Sequence, residues 1–499
     1  MINFNNYKKL LFLDENEKKF CEKKNIIFNS SGDSIVIQCT QDPFYLKLFS
    51  LVINQEKENT KEVYGIITLP INVRLIDILF VIPLFVKFLI NYGAKRKLKI
   101  MYSSIGVSKF IDYSEFNLFS KTQNIFKSLT LISKIKTKEQ LISFSYKGIR
   151  CGDLIYDTIV RFDTKTPTVK LKSFFCFSYF YKCINQIDFF SQHLKKLNFK
   201  KAFFSQAVYI YHGVPLRIIS GIVNNVYTAG NFTQMFKRIT KQDFYMMENH
   251  TSYKEIMERI NISERNIKES LKIFQTRFDG KDDTGYINLM TNNPYLDYEK
   301  FIEKNISFEG VLFLHDFYDA HKLYGEVFFS DFYEWAIYTL DIIRHYNLKI
   351  AIKPHPYQVP ESLRFQKKLA SEYNDLVWLD PLISNKTLID NGIKFGITHH
   401  GTVISELAYF NINCIYCAEN PVSAFDIGYF AKNKSHYKSL ILKANNLKIQ
   451  KNIKSEVGKY YYLHYLHKSS DYIIEGDFVD GINIKNFNRI NSTTKELLL

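Results

Sequence analysis

The sequence predicts an α/β fold in two domains, and three observations carry that prediction. At 499 residues the chain exceeds what one hydrophobic core ordinarily organises, so two domains are expected. Short apolar runs alternate with helix-like runs along much of the chain, the pattern of parallel βαβ units. The apolar runs end in polar loops, above all between Lys349 and Gly428, where KIAIKPHP, VWLD, KFGITHHGTVISELAYF and NCIYCAENP follow one another. Ligands of open parallel sheets bind outside the carboxyl ends of the strands. Lys353-Pro354-His355-Pro356 and His399-His400-Gly401-Thr402 are therefore the loops where chemistry is expected.

Taken in order, residues 1–30 read as a charged amino-terminal arm, and 31–240 as a first α/β domain. Its first strand is Ser34–Cys39 (SIVIQC), followed by the helical pattern FYLKLFSLVI. Further strands are expected at Val63–Leu69, Lys99–Tyr102 (KIMY), Lys201–Gln206 and Gly221–Tyr227. The stretch YKGIRCGDLIYD places Asp153 just after a glycine loop, either as a carboxylate at a cleft edge or as an ordinary helix cap. Residues 241–305 are polar and helical, and read as an interdomain linker or an inserted helical pair. The second domain, 306–450, opens with the buried strand Gly310–Leu314 and then HDFYDAH, and a helix begins near Asp331. A helix and tail over 451–499 pack back across the domains.

Composition narrows the class. Hydrophobic residues make up 46% and charged residues 23%, which is globular rather than disordered. With 34 Tyr and 43 Phe, a single aromatic carries little functional weight. The net charge of +16 admits nucleic acid, an anionic membrane surface or an anionic substrate as partner. The densest basic run is Lys95-Arg96-Lys97 with Lys99, and no nucleic-acid module is recognisable, so no nucleic-acid partner is expected. Seven dispersed cysteines speak against a disulfide framework and for a reducing, cytoplasmic setting. Cys414 and Cys417 form a CxxC inside an apolar run, which reads as two buried thiols rather than a zinc or redox pair. The amino terminus lacks the apolar core of a signal peptide. Leu75–Ile90 is too short for a spanning helix and is broken by Asp77, Pro83 and Lys87. It reads as a buried helix, or as an interfacial one whose basic flank Lys95–Lys99 meets anionic lipid on the inner face of the plasma membrane.

Three loops hold the residue types that chemistry needs. In KPHP, Lys353 offers a point charge to phosphate and His355 a directed donor, while Pro354 and Pro356 stiffen the loop and remove backbone donors. In HHGT, Gly401 and Thr402 open a helix whose start presents free N–H groups to an anion; Thr402 could equally cap that helix. Glu406, one turn in, suits a ribose diol. In HDFYDAH, His315, Asp316, Asp319 and His321 have a metal-like composition but no evident third or fourth ligand, so phosphate contact or acid–base work is expected rather than a metal. P-loop, GxSxG, HExxH and GxGxxG elements are all absent from the sequence.

HDFYDAHKLYG, FFSDFYEW, IKPHP and ITHHGTVISELAYFNINCIYCAENP together resemble bacterial surface-carbohydrate and capsule-polysaccharide glycosyltransferases of the GT-B fold. SIVIQC, YSSIG, GIRCGDLIYD and YHGVPLR resemble that family's first half. The resemblance spans Ser34 to Tyr429. It implies two Rossmann-like domains facing across a cleft, a CMP- or UDP-linked sugar donor in the second domain and a glycan or lipid-linked glycan acceptor mostly in the first. No cofactor and no metal are implied. The donor contacts would come from Lys353, His355, Pro356, His400, Gly401, Thr402, Glu406, Asp319 and His321. Asp316, Asp153 and His315 are the acid–base candidates. His399-His400 leaves open which histidine is the ligand, and Ser205-Gln206 stands where a histidine-bearing loop is expected. The expected activity is sugar transfer to a surface polysaccharide. Polyol-phosphate transfer, nucleotide-sugar epimerisation, or a non-catalytic role in an export complex are the alternatives.

Overall fold

The computed structural model describes residues 12–22, 28–29, 31–68, 81–113, 122–229, 235–248, 250–281, 307–467 and 472–473. The chain forms two compact units. The first comprises Met1–Thr158, Leu171–Met246 and Ser470–Leu499, and the second Ile159–Lys170 and Met247–Ser469. Of the stretch expected as a linker, the residues up to Met246 fall in the first unit, and the helices His250–Arg259 and Glu264–Phe278 in the second. There the helix Glu264–Phe278 packs on Ile453–Tyr461, with Gly458 providing the close approach to Ile267 and Leu271.

The first unit contains β1 (Asp33–Cys39), β2 (Thr60–Ile67), β3 (Lys109–Asp112), the small hairpin β4 (Ser145–Tyr146) and β5 (Ile149–Arg150), β6 (Lys201–Phe204), β7 (Asn225–Ala229) and β8 (Met235–Ile239). The second contains β9 (Gly310–Phe313), β10 (Ile350–Lys353), β11 (Phe395–Thr398), β12 (Asn413–Tyr416) and β13 (Tyr429–Phe430). A last strand, β14 (Tyr472–Ile473), returns to β8.

The first sheet runs β14-β8-β7-β6-β1-β2-β3. The strands from β3 to β7 are parallel, whereas β8 and β14 are antiparallel additions. The parallel strands follow the Rossmann order, with the reversal between β1 and β6. Its central strand is buried on both faces: Ile35, Val36 and Ile37 are all covered, as a helix-flanked parallel strand requires. The polar groups at the reversal satisfy one another. Ser205 Oγ donates to Gln38 Oε1 at 2.7 Å, and Thr68 Oγ1 donates to the Tyr211 carbonyl at 2.6 Å.

The second sheet runs β10-β9-β11-β12-β13, all parallel. This is the flavodoxin-like order, whose reversal lies between β9 and β11. Both units are therefore Rossmann-like α/β layers, the make-up of the GT-B class.

Two expectations about the first unit change. Lys99–Tyr102 is not a strand but the end of the helix Val81–Ser104. Ala94, Leu98, Met101, Tyr102 and Ile105 are buried at helical spacing, and four residues of KIMY are too short a window to reveal that period. Asp153 lies in the first turn of the helix Gly152–Phe162, and its carboxylate is clamped by Arg217 through bonds of 2.7 and 2.5 Å. Both side chains are buried, and the guanidinium lies 4.0 Å over the Phe244 ring. This is a structural ion pair rather than an open cleft-edge base. Among the described residues no helix is long and apolar enough to cross a membrane; residues 75–80 of the apolar window lie outside them.

Removing one partner of a buried ion pair strands the other charge, which typically costs about 3–5 kcal/mol. Asp153→Ala should lower the unfolding free energy in urea by about that amount. A loss under about 1 kcal/mol, the scale of an exposed pair, would show that Arg217 is not dependent on this carboxylate.

Candidate functional site

The second sheet aligns its strand ends. Phe313 of β9 pairs with Lys353 of β10 and with Thr398 of β11, so the three strands finish on one rung. Two residues past that rung, each strand carries a histidine: His315, His355 and His400. The central ring of the three, His315, lies 4.6 Å from His400 and 6.3 Å from His355, centroid to centroid. The β9–β11 gap is also the reversal in strand order, where parallel sheets bind ligands.

Packing fixes the rings. Phe332, fully buried, stacks parallel on His315 at 4.6 Å and meets His321, His399 and His400 edge-to-face at 4.7, 5.0 and 5.4 Å. Phe332 opens the helix Phe332–His345, whose cap Asp331 accepts from Glu334 N at 2.7 Å and from Thr168 Oγ1 at 2.5 Å. A helix cap thus sets the ring around which four histidines are arranged.

Hydrogen bonds then settle which nitrogen does what. His315 Nε2 donates to the His400 carbonyl at 2.5 Å, so in the neutral ring its Nδ1 carries the lone pair. His321 Nδ1 lies 3.4 Å from Lys322 Nζ, which has only hydrogens to offer. His321 therefore holds its proton on Nε2 and gives it to His399 Nε2 at 2.8 Å. His399 is committed at Nε2, while its buried Nδ1 has no partner. His400 differs: it is 5% exposed, and neither ring nitrogen has a partner. A buried imidazole lacking both bonds is costly unless something else supplies them. His355 Nδ1 faces the backbone of Tyr357, donating to its carbonyl at 2.5 Å when protonated or accepting from its N–H at 3.1 Å when not.

Burial pushes all five rings towards the neutral form. His315, His321 and His399 lie well below the ordinary histidine value, with neighbouring rings or Lys322 adding repulsion. His400 is pushed down to about 3 by burial. His355 is lowered by burial and then by Lys353. Lys353 itself, buried with Nζ donating to the Pro381 carbonyl at 3.2 Å, is brought down to about 8 by burial, which Glu406 and Asp380 partly offset.

The remaining sequence candidates have other placements. Asp316 ties loops together: Oδ1 accepts from Tyr318 N at 2.9 Å and Oδ2 from Val359 N at 3.1 Å, which joins HDFYDAH to the KPHP loop. Asp319 is exposed and accepts from the adjacent Ala320 N. Pro356 is half-buried between His355 and Tyr357. Gly401 has φ +123°, which its lack of a side chain permits, and lies against His315. Thr402 is exposed and makes no capping bond, and the helix it precedes, Val403–Tyr409, has only 7 residues. So short a helix sums few peptide dipoles, so the imidazoles and Lys353 matter more than the helix start. Glu406 is fully buried; it accepts from Asn385 Nδ2 at 2.7 Å and faces Arg277 Nη1 at 3.8 Å. Cys414 and Cys417 are buried free thiols pushed far up by burial. No cluster of three or more His, Cys, Asp or Glu side chains suited to a metal occurs among the described residues.

Sequence reasoning missed Phe332, Arg277 and Tyr324, whose ring meets His400 at 5.2 Å. Phe332 directly follows the expected helix start at Asp331, and nothing local tells a core aromatic from one that orients histidines.

No protein-family model and no curated protein matches the chain. Among solved structures it is similar to the UDP-GlcNAc 2-epimerase of Methanocaldococcus jannaschii in complex with UDP-GlcNAc and UDP, at 13% identity over 87% of this chain and 99% of that one, with TM-score 0.28. It is also similar to the UDP-GlcNAc 2-epimerase from Neisseria meningitidis bound to UDP-GlcNAc, at 9% identity over 86% and 98%, with TM-score 0.24. Likenesses this weak carry no argument about chemistry, which must come from the site itself.

Lys353 gives a signed prediction. Its folded value of about 8 is below the ordinary 10.5, so the unfolded chain binds more protons between those pH values and stability rises across them. Lys353→Met should therefore stabilise the protein at neutral pH by up to about 3 kcal/mol. The gap to the native protein should close as pH climbs from about 8 towards 10.5. A variant less stable at every pH in chemical denaturation would show that Lys353 is a net structural asset.

Proposed function

We propose that the carboxyl edge of the second unit binds the phosphate of a nucleotide-linked sugar, CMP- or UDP-activated, and that the protein is an enzyme acting on that donor. The observation that supports this most is His400, a buried imidazole with both nitrogens unpartnered, beside two more histidines and Lys353 on one aligned edge. Neutral imidazoles donate directed hydrogen bonds, and Lys353 supplies the charge. A bound phosphate would favour protonation of His355, His400 and Lys353, which burial alone disfavours. Asp319 and His321 are left to loop and ring positioning, and Glu406 to holding Arg277 and Asn385.

The reaction we favour is transfer to a glycan acceptor. An acceptor hydroxyl oxygen forms a bond to the anomeric carbon, and the bond from that carbon to the phosphate oxygen breaks. The electron pair leaves with the nucleotide, where Lys353, His355 and His400 stabilise the developing charge. The hydroxyl proton goes to a base. His315 Nδ1 suits this role because its partner nitrogen is committed to the His400 carbonyl, whereas the oxygens of Asp316 and Asp153 are taken up by Tyr318, Val359 and Arg217. Rearrangement of the donor sugar is the second reading. One observation favours it: Gln38, Thr68 and Ser205, at the strand reversal of the first unit, are bonded to the protein itself rather than presented to an acceptor.

Incubation with a panel of CMP- and UDP-sugars separates the readings. Nucleotide release that requires a glycan acceptor supports transfer, and an isomerised donor without acceptor supports epimerisation. No binding of any donor would overturn the proposal. His355→Ala and His400→Ala should each weaken donor binding about 10- to 100-fold, the value of one hydrogen bond to a charged group. Unchanged affinity in both, measured by calorimetry, would remove the phosphate role from this edge.

A further inference from the structure

The helix Thr122–Ile132 is built inside out. In TQNIFKSLTLI, Ile125, Leu129 and Ile132 recur at the spacing of an apolar stripe that ordinarily faces a core. Most of the stripe faces outward: Ile125 is 38% and Leu129 47% exposed, with Phe126 beside them at 73%, while Ile132 is half-buried. The buried residues are the polar ones, Asn124 and Ser128. That orientation is specified by hydrogen bonds. Asn124 Nδ2 donates to Asn185 Oδ1 at 2.9 Å and to Asp188 Oδ2 at 3.1 Å, both on the helix Phe174–Leu194. Asp188 is in turn held by Lys147 at 2.5 Å and by Tyr146 at 3.2 Å.

The charge close to the stripe in sequence is mostly basic, with Glu139 the first carboxylate after it. Lys127, Lys134, Lys136 and Lys138 fall in this helix or just after it, and residues 122–138 contain no Asp or Glu. An outward apolar face rimmed by lysines fits a surface that is apolar beneath and anionic above. A second copy of the same face fits poorly, because a two-fold contact would set lysines against lysines.

We infer that this face docks the protein on an anionic lipid bilayer, with Phe126 and Leu129 entering the headgroup region and the lysines lying over lipid phosphates. This is a different surface from the basic stretch the sequence pointed to. There Lys95 and Lys99 pair with Asp112, and Lys97 pairs with Glu17, so those charges are largely neutralised within the protein. The inference is independent of the chemistry proposed for the second unit.

Co-sedimentation of the full chain with phosphatidylcholine vesicles, with and without phosphatidylglycerol, tests it. Binding is expected to the anionic vesicles alone and to weaken with added salt. The double variant Phe126→Glu, Leu129→Glu should reduce the vesicle-bound fraction at least about tenfold with an unchanged circular dichroism spectrum. Lys134→Glu with Lys136→Glu, which spares the apolar stripe, should lower binding and flatten its salt dependence. Equal binding to neutral vesicles, or retention of the double variant on anionic ones, overturns the inference. So does a dimer in solution that the double variant converts to monomer, since the face would then be covered by another copy.

Discussion

The shared rung of β9, β10 and β11 is the constraint on which the chemistry proposed for the second unit depends. Because Phe313, Lys353 and Thr398 are mutually in register, three chain segments far apart in sequence finish at one level. A one-residue slip would move every side chain to the other face of the sheet, so the packing of helices on each face fixes the register. The positions of His315, His355 and His400 are therefore fixed by the same apolar packing that folds the sheet. Small loops cannot impose such placement alone; strands that end together can.

The second layer of control is Phe332. Aromatic contact and burial hold four imidazoles around one ring, and the same burial that orders them strips them of charge. Order and charge are thus opposed here. The site resolves the conflict by keeping the rings neutral, pairing His321 with His399 and His315 with the His400 carbonyl, and leaving His400 with neither nitrogen partnered. Lys353 follows the same logic at greater cost. It is the cation of the edge, and burial makes its charged state unfavourable in the free protein. Functional sites commonly hold such unfavourable groups in place by the stability of their surroundings.

Much of this was legible in the sequence because open α/β sheets announce their strand ends. An apolar run followed by Pro, Gly and His marks where a strand stops, so KPHP, HHGT and HDFYDAH were visible as loops at one edge. Their mutual order was not, because register is a long-range property. Which of His399 and His400 turns inward was equally hidden, since an irregular loop has no period to read. KIMY misled for a related reason: a four-residue window has strand composition, and the helical spacing of Leu98, Met101 and Tyr102 emerges only over the longer segment. The glycine before Asp153 signalled a turn correctly, but the partner that decides its role, Arg217, lies 64 residues away. The helix Thr122–Ile132 was passed over altogether, because periodicity reveals a stripe and not which way it faces.

These failures of local reading fall in two classes with different meaning. KIMY was misread and Asp153 was left between two roles, yet the structure at both obeys ordinary rules: a buried helix face and a paired buried charge. His400 and the stripe of Ile125 and Leu129 break the rules in the folded protein itself, one by burying polar atoms without partners and the other by exposing an apolar face while burying its polar side. The first class reflects how little a short window contains. The second reflects free energy left unrecovered on folding, and natural sequences leave such gaps chiefly where a binding partner completes the contact. The two exceptions call for opposite completions, a hydrogen-bonding anion at one and an apolar layer under anionic headgroups at the other. They lie in different units, so each can be removed by mutation without touching the other.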